Sequence, residues 1–190
     1  MKKIRVFLAI PISDEVTQSV AKSVAEMAPL ISGVRWVEFE GLHLTLKFFG
    51  DIEELEVVEI SRTAQRIAAT HKPFDFVING MGAFPDIERP RTVWAGVANG
   101  AEPLGSLQSD LVGAFSDMGY PSESRKYHPH VTIGRVRDKS GMQTLITELR
   151  SREDVSFGTV RAEKVIVYSS ELRRSGPIYT PLATCPLSGA

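Results

Sequence analysis

The chain holds a single cysteine, Cys185. One thiol excludes an internal disulfide and a Cys-x-x-Cys metal knuckle, and it makes a reducing compartment the expectation. No apolar run approaches the roughly 20 residues of a membrane-spanning helix. The apolar residues 6–10 follow Lys2 and Lys3, but Pro11, Asp14 and Glu15 come next with no small-residue cleavage site. Residues 3–11 therefore read as a buried strand and not as a signal peptide, and the expected location is the cytoplasm. An excess of either charge is also missing, because 22 Lys and Arg face 23 Asp and Glu for a net charge of −1. Any contact with nucleic acid must then be local. There is no Gly-x-x-x-x-Gly-Lys-Ser/Thr loop, so no nucleoside triphosphate is expected, and no linker or low-complexity tract interrupts the chain.

What is present is an ordinary globular balance, 43% hydrophobic and 24% charged over 190 residues. A chain of this length buries roughly 70% of its unfolded surface and fits one domain, residues 1–190, built from two packed lobes. After Ser13, the apolar positions Val16, Val20, Val24 and Met27 trace one helix face. The same spacing predicts helices over about 53–69, from Pro103 to Gly119, and over about 141–150. Strands are expected at 3–11, 42–49, 74–82, 92–98, 128–137 and 155–169, the last broken in two. Two β-α-β-α-β runs in succession suggest an α+β protein built from two similar sheet-and-helix lobes.

Of four histidines, two sit in one local pattern: His43-Leu44-Thr45-Leu46 and His130-Val131-Thr132-Ile133. With 11 Thr in 190 residues, chance places a Thr two after a His about 0.2 times, and it occurs twice. In a strand the imidazole and the hydroxyl share one face while the apolar residues occupy the other. Two such pairs facing each other suit acid–base chemistry, with one neutral histidine activating water and one protonated histidine serving the leaving oxygen. The hydroxyls of Thr45 and Thr132 can donate to phosphate oxygens, and the fork of Arg135 can grip two of them. By strand parity Lys47 joins the face of His43 and Thr45, Phe49 lies on that face, and Phe48 points to the core.

The segments 35–37, 43–50 and 129–135, with Phe7-Leu8-Ala9-Ile10, residues 167–172, Gly176 and Tyr179, closely resemble the two-histidine phosphoesterase superfamily. Within it they are similar to the LigT-like RNA 2′,3′-cyclic phosphodiesterases, historically called 2′-5′ RNA ligases. That resemblance covers most of the chain. It implies a bilobed α+β fold, two pseudo-symmetric lobes of antiparallel sheet plus helices flanking a central cleft, and metal-independent hydrolysis of a 2′,3′-cyclic phosphate at an RNA end to a 2′-phosphomonoester, with no cofactor. It assigns His43 as general acid and His130 as general base, and gives the phosphate to Thr45, Thr132 and Arg135. Implied substrates are RNA ends, tRNA fragments among them, or cyclic nucleotides; a monomer is compatible with all of this.

Other readings stay open on the residues alone. The same acid–base pair can run 2′-5′ RNA end joining, or hydrolyse a small cyclic phosphate, and the cleft can serve as a non-catalytic RNA-end-binding module. His128, His130 and His43 together can form a zinc site. His71 reads as a surface helix C-cap. Phe48 and Tyr127 are the nearest aromatics for stacking on a terminal base, but with Phe49 they read as packing residues; Arg125, Lys126, Arg135 and Arg137 can form a local basic track or a solvated edge. Arg173 and Arg174 mark a hairpin turn.

Overall fold

The computed structural model describes residues 2–122, 126–173 and 176–189; Arg125 and Arg174 lie outside the described residues. Nine strands and four helices are described. In chain order they are β1 (Lys3–Pro11), α1 (Asp14–Met27), β2 (Val34–Trp36), β3 (His43–Glu53), α2 (Val57–Ala68), β4 (Phe74–Phe84), β5 (Thr92–Val97), α3 (Ala101–Asp117), β6 (His130–Val136), α4 (Met142–Arg150), β7 (Ser156–Ala162), β8 (Lys164–Leu172) and β9 (Pro177–Pro186). No described helix is long and apolar enough to cross a membrane.

The strands form one continuous antiparallel sheet in the order β7-β4-β5-β6-β3-β1-β8-β9, with β2 beside β6. Where two lobe sheets were expected, one sheet has two halves, β7-β4-β5-β6 edged by β2 and β3-β1-β8-β9. They meet at a seam between β3 and β6 that is one residue pair long, Leu44 opposite Val131. Pro129, two residues before Val131, has no N–H to continue the ladder. On the other side of the pair β2 takes over the edge of β6, with Trp36 opposite Gly134 and Val34 opposite Val136. The histidine strands thus touch once and then diverge.

The helices cover one face of this sheet. Val16, Val20, Val24 and Met27 of α1, Ile60 and Ala64 of α2, Leu104, Leu107, Leu111 and Phe115 of α3, and Leu145 and Leu149 of α4 are all buried there. They pack on Val6, Leu8, Ile10, Leu44, Val131 and Ile133. Cys185 lies in the same core, where burial pushes its thiol up to about 11, so it packs as a small hydrophobe.

Several boundaries differ from the sequence reading. The first motif strand runs on to Glu53, and α2 starts only at Val57 after a 3-10 turn at Glu54–Glu56. The strands β2 and β9 were not expected. The imidazole of His71 does not cap α2; its Nε2 reaches Asp110 of α3 at 3.0 Å and ties two helices together.

Candidate active site

The seam pair fixes the relation of the two motifs. With Leu44 opposite Val131 in an antiparallel register, one step along sets His43 across from Thr132 and Thr45 across from His130. The four polar residues thus surround one crossing point, on the face away from the helices. The two imidazoles are held alike. His43 Nδ1–H donates to the Gly41 carbonyl at 2.9 Å, and His130 Nδ1–H donates to the His128 carbonyl at 2.7 Å. A carbonyl only accepts, so each Nδ1 carries the proton and the chemistry falls to Nε2.

Two β-bulges then decide what else lines the cleft. On β3, Thr45 is opposite Ala9 and Lys47 opposite Leu8, so Leu46 is the extra residue. On β6, Thr132 is opposite Trp94 and Gly134 opposite Val93, so Ile133 is the extra residue. Each bulge falls one residue after the motif threonine and reverses the alternation beyond it. Arg135, opposite Thr92, thereby returns to the face of His130 and Thr132. Phe48, opposite Phe7, occupies the equivalent place on the first strand.

The parity expected for residues 47–49 is corrected by the same bulge. Lys47 is only 4% exposed and turns to the helix side, donating to the Pro121 carbonyl at 2.9 Å. Phe49 is also on that side, edge-on to Phe115 at 4.8 Å and to Tyr120 at 5.1 Å. Phe48 is 48% exposed with its ring 5.5 Å from Phe7 on the cleft face.

Aromatic rings wall both histidines. His43 lies 4.9 Å from Phe7 and 4.9 Å edge-on from Tyr179, with Tyr168 at 6.1 Å. Phe84 stands edge-on to His130 at 4.8 Å. Phe7, though buried, is outside the main core and forms the cleft floor. Burial lowers the pKa of His43 below its ordinary value, and the Gly41 hydrogen bond only partly opposes this. Burial raises the Tyr179 phenol, while the charges of Arg135 and Arg5 pull it back down. Phe7, Tyr168 and Tyr179 entered the sequence reading only as part of the family resemblance and Phe84 not at all, because these wall residues come from strands distant in sequence from the motifs.

Tyr127 packs against the core at the seam. Its hydroxyl donates to the Thr45 carbonyl at 3.1 Å across the seam, and burial raises its pKa. The ring of His128 packs between Trp94 at 5.1 Å and Phe84 at 5.5 Å. Gly82 and Gly96 make room for that tryptophan, since a Cβ on Gly82 would come within 2.4 Å of the indole. Among the described residues no group of three His, Cys, Asp or Glu side chains is placed to hold a metal ion, so the three-histidine zinc arrangement does not form.

Comparison with known proteins gives a consistent picture. The sequence model of the 2′-5′ RNA ligase superfamily matches residues 12–171. An RNA 2′,3′-cyclic phosphodiesterase of Aquifex aeolicus is 35% identical over 190 residues, covering 100% of both chains. One from Methanothermobacter thermautotrophicus is 35% identical over 180 residues, covering 95% of this chain and 97% of its own. A crystal structure of a Thermus thermophilus protein matches with a TM-score of 0.83 at 25% identity, covering 98% of this chain and 99% of that one. The Escherichia coli LigT structure complexed with 3′-AMP shares the fold, with a TM-score of 0.80 at 24% identity, 98% of this chain and 99% of that one being covered.

Proposed function

The chain belongs to the 2′-5′ RNA ligase superfamily, and from that footing we propose that it hydrolyses the 2′,3′-cyclic phosphate at an RNA end to a 2′-phosphomonoester. One observation carries the chemistry: two imidazoles with Nδ1–H fixed on backbone carbonyls, on strands that touch at a single pair. Residues 1–190 act as one catalytic domain whose two halves each supply one histidine.

The reaction follows from the groups. The cyclic phosphate sits between the motifs, with the hydroxyls of Thr45 and Thr132 and the guanidinium of Arg135 on its non-bridging oxygens. His130 Nε2 removes a proton from water as the water oxygen bonds to phosphorus. The bond from phosphorus to the 3′-oxygen breaks, and His43 Nε2–H delivers the proton to that oxygen. One water is consumed and the proton inventory closes within the pair. The lowered pKa of His43 makes its protonated form a stronger acid, suited to an alkoxide leaving group. Phe48 offers an exposed ring beside the site on which the terminal base stacks. Fragments of tRNA and simple nucleoside 2′,3′-cyclic phosphates present the same group and belong to the expected range.

The test is an oligoribonucleotide ending in a 2′,3′-cyclic phosphate, incubated with the protein in EDTA and followed by phosphorus NMR. Conversion to a 2′-phosphate is expected. A 3′-phosphate, a 2′-5′-joined strand, or activity that needs added zinc would each contradict the proposal.

A further inference from the structure

Arg5, Ser170 and Tyr179 form a row across three neighbouring strands, because Arg5 is paired with Ser170 and Ser170 with Tyr179. Residues directly opposite in an antiparallel ladder project from the same face. That face is the cleft: Tyr179 packs on His43 at 4.9 Å and on Phe7, two residues from Arg5, at 5.3 Å. Arg5 is exposed. Among the described residues neither Arg5 nor Arg135 forms an ion pair, although Asp51 stands opposite Arg5 in the ladder. The Tyr179 hydroxyl feels the charge of both guanidiniums. Two guanidiniums acting on one phenol, neither ion-paired among the described residues, are both stabilised by anions bound in the cleft.

The motif site accounts for one anion and one arginine. Arg5 is four residues along β1 from Ala9, the partner of Thr45. That is roughly 13 Å of strand, a span that an arginine side chain and one nucleotide bridge together.

We propose that Arg5, with the Ser170 and Tyr179 hydroxyls beside it, forms a second phosphate subsite for the 5′-phosphate of the terminal nucleotide. In an RNA strand this is the phosphodiester joining the last nucleotide to the rest. The subsite rests on the reaction proposed above, and it makes the enzyme favour strand ends over free nucleoside cyclic phosphates.

Three substrates separate the claims: adenosine 2′,3′-cyclic phosphate, the same compound bearing a 5′-phosphate, and a short oligoribonucleotide with the same end. For the wild type, kcat/KM on the latter two should exceed that on the first by about tenfold, the effect of one charge-assisted phosphate contact. Arg5→Ala should abolish the preference while leaving the first substrate unchanged, and Arg5→Lys should restore part of it. The slope of log kcat/KM against log salt for the oligoribonucleotide should shrink by about one phosphate contact in Arg5→Ala. Thermal melting confirms that the exposed substitution leaves the fold intact. Equal slowing of all three substrates, or of none, overturns the subsite. Turnover of none of the three by wild type sinks the reaction and the subsite with it.

Discussion

His43 and His130 are equivalent in their hydrogen bonds and unequal in their surroundings. Replacing either with alanine should lower kcat by about 10²- to 10⁴-fold, with far less effect on substrate affinity in a binding titration. Burial depresses the His43 pKa, which has two consequences. For stability, the unfolded chain takes up a proton near the ordinary histidine value that folded His43 refuses. Its contribution is therefore present above that pH and is lost as pH falls through it toward the folded value. Urea unfolding at pH 7.5 and 5.5 should show a smaller loss of stability on acidification in His43→Gln than in wild type. For catalysis, a bound phosphate anion raises the pKa of the acid. The basic limb of kcat should then lie at higher pH than that of kcat/KM, both being macroscopic values of the pair. Coincident basic limbs would argue that His43 is not the acid.

The strand elements place these residues through irregularities. The bulges at Leu46 and Ile133 bring Phe48 and Arg135 to the cleft and send Lys47 to the helix side. The seam is equally irregular: where Pro129 ends the ladder, the Tyr127 hydroxyl bonds the Thr45 carbonyl, and Lys47 bonds the Pro121 carbonyl. Tyr127→Phe removes one part-buried hydrogen bond and should lower stability by about 1 kcal/mol in urea titration. It should also lower kcat, because the bond it removes helps fix the separation of the motifs. An unchanged kcat would make the bond a purely structural one. These features explain what was legible in the sequence. The His-x-Thr pairs and the helix faces are local and periodic, so they stood out. A bulge has no local signature, and parity counted straight through it misplaced Lys47, Phe48 and Phe49. The strand β9 carries Pro177, Pro181 and Pro186, tolerated on a sheet edge but unlike a strand in sequence. The strand β2 is three residues long and offers no period at all.

For the whole molecule, the seam joins a five-stranded half that includes β2 and a four-stranded half into one sheet, and α2 packs against α3 across the back. The two tryptophans, Trp36 and Trp94, both lie in the half built on β6 and β5. Tryptophan fluorescence reports that half, while far-ultraviolet circular dichroism reports the whole. The continuous sheet and shared helix layer predict coincident urea transitions by the two probes, and separated midpoints would show halves that unfold independently. The pseudo-twofold arrangement gives each half one histidine, so only chemistry can tell their roles apart. The most direct measurement uses a 2′,3′-cyclic phosphate whose 3′-oxygen is replaced by sulfur, a leaving group that needs no proton. His43→Ala should recover most of its lost rate on this substrate, whereas His130→Ala should stay slow because water still needs its base. The reverse pattern, or equal recovery of both variants, would contradict the division into acid and base on which the mechanism stands.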